Sequence, residues 1–182
     1  HSEYIEDLRQ EAFSFVNPTL NKGNFGAAVN YFTYGKIAGY DAQGGPTGNL
    51  SATDFTLGLS WAKMWDWVFG EKTIEDFSTG TSLKILSRKL YNDSAIGLAV
   101  DLGAAYPFKE GYLRGLRLGL AVQNLGSGVK LKNESSPLPR LIRVGLAYSW
   151  WGEAMTANVD EIIPADSTPY PALGLEYKIR KM

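Results

Sequence analysis

The chain has 182 residues, one domain's worth, and its 18 basic against 19 acidic residues leave a formal net charge of −1. Without a basic run interleaved with aromatics, that balance predicts no nucleic-acid partner. Cysteine is absent and the single histidine is His1, which excludes disulfides, thiolate metal sites and the usual Ser/His or Cys/His nucleophile pairs.

Hydrophobic residues alternate with period two, which predicts an all-β, antiparallel chain of about nine strands in a single domain over residues 1–182. In chain order the expected strands are 12–16, 25–34, 52–63, 77–91, 94–106, 112–125, 140–150, 153–160 and 171–179. Turn formers at Asn92-Asp93, at 107–111 and at Trp151-Gly152 predict hairpins. Segments 36–51, 64–76 and 126–139 are expected as long loops. No apolar run approaches the roughly twenty residues of a membrane helix, so any membrane crossing is by strands. The start at His1, without methionine or signal peptide, predicts a processed, trimmed or partial chain.

The two faces of these strands differ in kind. Ile96, Leu98, Val100 and Leu102 stand on one side, with Gly97, Ala99, Asp101 and Gly103 on the other, and four more strands repeat the contrast. Repeated glycine weakens an ordinary solvent-facing strand, so it predicts a crowded interior on that side. In a soluble barrel or sandwich the apolar face turns inward; in a transmembrane barrel it meets lipid and the small, polar face lines the lumen. Periodicity fits both. Aromatics crowd strand ends and turns, at Trp61, Trp65 and Trp67, Tyr91, Tyr106, Phe108 and Tyr112, Tyr148, Trp150 and Trp151, and Tyr170. That placement resembles a bilayer-interface girdle and favours the membrane barrel.

Hairpin closure assembles one constellation. A turn at Asn92-Asp93 sets Lys84 beside Asp101, a turn near Lys109 sets Asp101 beside Arg117, and a turn at Trp151-Gly152 sets Arg143 beside Asp160. All are on the small-residue face. They are expected as interior ion pairs that offset one another's desolvation, the alternative being a polar pore lining. Phe32 and Tyr34 share that face with Gly26, Ala28 and Asn30 and are the candidates for contact with a hydrophobic ligand, or simply for packing. Asp160 and Glu161 point to opposite faces of a strand, and Asp41 lacks the alternating acids of a calcium loop. No enzymatic turnover, metal or cofactor is expected.

Several phrases resemble the PorV/PorQ-like outer-membrane proteins, which are similar to FadL-type barrels. They are Gly80 through Ile85, Ala99 through Tyr106, Leu116 through the closing Gln123-Asn124-Leu125-Gly126, Leu138-Pro139 leading into Arg143 through Tyr148, and Gly174 through Tyr177. The resemblance implies a bacterial outer-membrane β-barrel of about fourteen strands, larger than this chain builds. The chain is then a central fragment whose edges need missing strands or a partner chain. It also implies outer-membrane lipid as surroundings, and a secreted cargo protein or a hydrophobic small molecule as partner, through either a PorV-like part in protein secretion or transport of hydrophobic molecules. Loops 36–51 and 126–139 are the expected contact surfaces. A soluble barrel or sandwich binding module and a structural assembly protein remain the alternatives.

Overall fold

A computed structural model describes residues 2–3, 8–19, 22–65, 76–91, 93–131 and 134–179. Its strands are β1 (Ser2–Glu3), β2 (Arg9–Asn17), β3 (Asn24–Tyr40), β4 (Pro46–Trp65), β5 (Phe77–Leu90) and β6 (Asp93–Pro107), then β7 (Leu116–Gly126), β8 (Val129–Leu131) and β9 (Glu134–Ser136), and finally β10 (Leu141–Trp150), β11 (Met155–Pro164) and β12 (Tyr170–Tyr177). Ten of them form one antiparallel sheet in the order β1-β2-β3-β4-β5-β6-β7-β10-β11-β12, and β8 and β9 form a separate hairpin. The all-β expectation holds. The sheet is open, with β1 and β12 as its edges, so closure into a barrel is not found among the described residues.

Expected loop 36–51 is mostly strand. Lys36 pairs with Ser51 and Gly39 with Gly48, so β3 and β4 run on to a tight turn at 41–45. Asp41 holds that turn: its Oδ1 accepts from the backbone N–H of Gln43 at 3.0 Å and of Gly45 at 2.6 Å, and Gly44 supplies the positive φ. The side-chain turn replaces the long loop suggested by the glycines. Expected loop 64–76 lies mainly outside the described residues.

The register places most large apolar side chains of the sheet on one side, with Phe32, Leu86, Leu90 and Ile162 among the exceptions. Phe13, Val29, Leu57, Ile85 and Leu98 form one continuous row across β2 to β6. That side is uncovered: Leu98 is 52% exposed, Leu120 50% and Leu175 70%. Only Ala95, Ala99, Leu138 and Ile162 are buried hydrophobics among the described residues, and by register Ala95, Ala99 and Ile162 lie on the opposite, small-residue face. Among the described residues, the leucine core of a soluble sandwich is therefore not formed.

This exposed belt runs obliquely to the hydrogen-bonded rows. On β4 the apolar run Phe55, Leu57, Leu59 and Trp61 centres on Gly58, whose row passes through Lys84 and Ala99. On β10 the run Ile142, Val144, Leu146 and Tyr148 centres on Gly145, and its row passes through Gly119, Ala105 and Ser78 to Met64. The belt has slipped six residues along β4 in four interstrand steps, with the slip taken where β6 meets β7. At about 3.4 Å per residue and about 4.8 Å per strand, that is roughly 20 Å along against 19 Å across, a slope near 45°. Strands of membrane barrels tilt about 35–45° from the barrel axis, which inclines their hydrogen-bonded rows to the apolar band by the same angle.

One edge of the belt is aromatic. Phe25 pairs with Trp61, Trp65 with Phe77, and Tyr106, Tyr148, Trp150 and Tyr177 continue the edge on β6, β10 and β12. The indole N–H groups of Trp61 and Trp65 donate to the Lys22 carbonyl at 3.0 Å and to Thr79 Oγ1 at 2.9 Å, and Lys63 Nζ sits 4.4 Å from the Trp65 ring centroid. Not every expected girdle residue joins it. Tyr91 follows β5 at the other end, Tyr112 is in a 3-10 turn at Gly111–Leu113, Tyr170 pairs with Ile162 on the small-residue face, and Trp67 lies outside the described residues.

Candidate functional site

Polar chemistry concentrates on the small-residue face, and its centre is a backbone irregularity. The β6–β7 register shifts between Val100 and Leu102, which leaves Asp101 at a bulge opposite Asn124, a residue in the left-handed region with φ 60°. Asn tolerates that conformation better than most side chains. Lys84 Nζ lies 2.8 Å from Asp101 Oδ1, the same oxygen accepts the Asn124 backbone N–H at 2.8 Å, and Lys84 also donates to Asn124 Oδ1. Asn124 Nδ2 reaches the Pro139 carbonyl at 2.8 Å. With both charged side chains 19% exposed, the cluster is a partly desolvated ion pair whose acceptors are satisfied.

That last bond ties down the arm that returns to β10. Leu138 on this arm is 8% exposed and packs with Ala95, Ala99 and Leu86. Leu86 and Ala95 are on the small-residue face, so the arm folds over that face and not away from the sheet. A close approach permits this: a Cβ on Gly126 would collide with the backbone of Leu98 and Ala99. Segment 126–139 was expected as a long loop and a contact surface. Its described return arm lies against the small-residue face.

The five charged residues anticipated from sequence all fall on this face, but the register separates some partners. β5 and β6 pair Leu90 with Asp93, which puts Lys84 opposite Ala99 and diagonal to Asp101, still within reach of the ion pair. Arg117 is the correction. It pairs with Pro107, because the β6–β7 connection turns through Gly111–Leu113 and not near Lys109, so Arg117 stands six residues, roughly 20 Å, from Asp101. Asp160 pairs with Gly145 and Arg143 with Ile162, making Arg143 and Asp160 diagonal neighbours on one cavity wall, with no ion pair between them. The Asp160 carboxylate occupies the space where a Gly145 side chain would stand, and the Asn158 amide does the same at Gly174. At Gly119 the expected crowding is absent: the nearest atom to a Cβ there is 4.0 Å away.

Phe32 and Tyr34 meet edge to face with ring centroids 4.8 Å apart. Tyr34 OH donates to Asp54 Oδ2 at 3.1 Å, while Arg88 grips the same carboxylate through two bonds, Nε to Oδ1 at 2.8 Å and an Nη to Oδ2 at 3.1 Å. The Asp54–Arg88 pair was not anticipated. Both residues stand in expected strands with the parity of the small-residue face, but segment 64–76 joins those strands without a turn signal to set register. Around Phe32 and Tyr34 the surface is ionic, which weakens their case as contacts for an apolar ligand.

A trough of about 420 Å³ runs across β4 to β11, with Gly80, Gly103, Gly119 and Gly145 in its floor and Arg143 and Asp160 at its side. No group of three or more His, Cys, Asp or Glu side chains able to hold a metal occurs among the described residues, and no described helix is long and apolar enough to cross a membrane. The site offers fixed charges and a small-residue wall. No family model, curated protein or solved structure matches the chain.

Proposed function

We propose that this chain is a wall segment of a bacterial outer-membrane β-barrel, its leucine face toward lipid and its small-residue face toward a water-filled lumen. The protein works in transport or as a PorV-like component of secretion, without catalysis. The observation that carries this reading is the uncovered apolar belt, inclined near 45° to its strands and edged with aromatics, on the side opposite the ion pairs and the folded-in arm. The open edges at β1 and β12 would be covered by further strands or a partner chain, because lipid does not hydrate unpaired backbone groups.

Of the two roles, passage of hydrophobic molecules gains least from the geometry, since Tyr34 is committed to Asp54 beside Arg88. Cell fractionation tests the reading. The protein is expected in the outer membrane, resistant to salt and alkaline washing and extracted only by detergent; recovery as a folded monomer in the soluble fraction would overturn it.

A further inference from the structure

Three cavities on the small-residue face join end to end. The first, about 240 Å³, begins at Ser60, Ser82 and Asp101 and shares Gly80, Gly103 and Ala121 with the central trough. The trough shares Ser78 and Ala105 with a third cavity of about 1250 Å³, which opens among the turns at the aromatic end of the sheet. Together they form one track from the Lys84–Asp101 pair to that mouth.

Charges along the track are unevenly compensated. Asp101 is neutralised by Lys84, and Asp76 at the mouth by Lys109. Arg143 on the trough, and Arg114 and Arg117 at the mouth, have no side-chain ion pair or hydrogen bond among the described residues. Arg117 and Arg143 are exposed on the lumen-side face, where a lipid headgroup outside the wall does not reach them. Two acids remain against these three cations, Asp160 beside Gly145 and Glu153 at the mouth. We propose that the track is a permeation path for small water-soluble anions, with Arg143 and Arg117 as successive attracting sites. This rests on the barrel reading above. Rows of Arg or Lys along a lumen are how pores favour anions, and small floor residues keep the path open.

The full-length protein, extracted from outer membranes and reconstituted in planar bilayers under a tenfold KCl gradient, gives the reversal potential. The expected result is a chloride preference of a few-fold, lost in the R117A/R143A double variant, inverted in R117E/R143E, and retained in R117K/R143K, which keeps the charges and controls for folding. A cation-selective wild type, or a ratio unchanged in the Glu variant while conductance persists, overturns the proposal. So does a protein that inserts, shown by quenching of its tryptophans by brominated lipid, yet conducts nothing; in that case the barrel reading survives. Failure to insert removes the barrel reading and the path with it.

Discussion

Replacing Asp101 removes more than one contact. In Asp101→Ala, Lys84 loses its 2.8 Å partner and the Asn124 N–H, held at φ 60°, loses its acceptor. A hydrogen bond involving a charged group contributes about 1.5–3 kcal/mol, and an orphaned buried donor costs about 1–3 kcal/mol. Because both charged side chains keep 19% of their surface in water, the lower halves of those ranges apply, for a total loss of about 2–4 kcal/mol. Lys84→Met should cost less, about 1–2 kcal/mol, since Asp101 retains the Asn124 N–H. The double variant should show coupling of about 1–2 kcal/mol, and Arg117→Met combined with Asp101→Ala should show none, the two residues lying six positions apart in register. Urea titration of the refolded protein in lipid vesicles, followed by tryptophan fluorescence, measures all of these. Coupling of Asp101 to Arg117 as large as that to Lys84 would refute the register and the reasoning built on it.

Three further perturbations probe different parts of the fold. Leu98→Arg on the exposed belt should destabilise the vesicle-embedded protein by about 2–4 kcal/mol, and less in detergent, both read from urea midpoints. Gly145→Val should cost about 1–3 kcal/mol because its side chain displaces the Asp160 carboxylate, whereas Gly119→Ala, whose new Cβ meets only the Gly145 carbonyl oxygen at 4.0 Å, should stay within about 1 kcal/mol of wild type; equal costs at both sites would contradict the local packing. Asp41→Ala should leave global stability nearly unchanged but speed amide exchange at Gln43 and Gly45, whose N–H groups it holds.

What the sequence made legible was parity, and what it hid was register. Alternation placed Lys84, Asp101, Arg117, Arg143 and Asp160 on one face correctly, because a side chain's face depends only on odd or even position. Each expected hairpin nonetheless closed at the wrong residue. Leu90 meets Asp93, Pro107 meets Arg117, and Gly145 meets Asp160, slips that are even at all three pairs and become odd on β6–β7 only across the bulge at Asp101. Even slips conserve the face and change the neighbour, so the Lys84 pair survived diagonally while Arg117 was carried away from Asp101. The Asp54–Arg88 pair and the packing of the Leu138 arm on the small-residue face were hidden for another reason. Both depend on long connections, where loop-closing chemistry supplies no register and the docking of one leucine into an alanine niche has no periodic signature.

The central claim is that the leucine face meets lipid, and β6 measures it most directly. Because the chain has no native cysteine, single cysteines at positions 95 to 103 can carry spin labels without further substitution. In the vesicle-embedded protein, accessibility to oxygen should peak at positions 96, 98, 100 and 102. Accessibility to a water-soluble nickel complex should be low there and should not follow the same alternation. Oxygen maxima at 97, 99, 101 and 103, or no period-two alternation at all, would contradict the account.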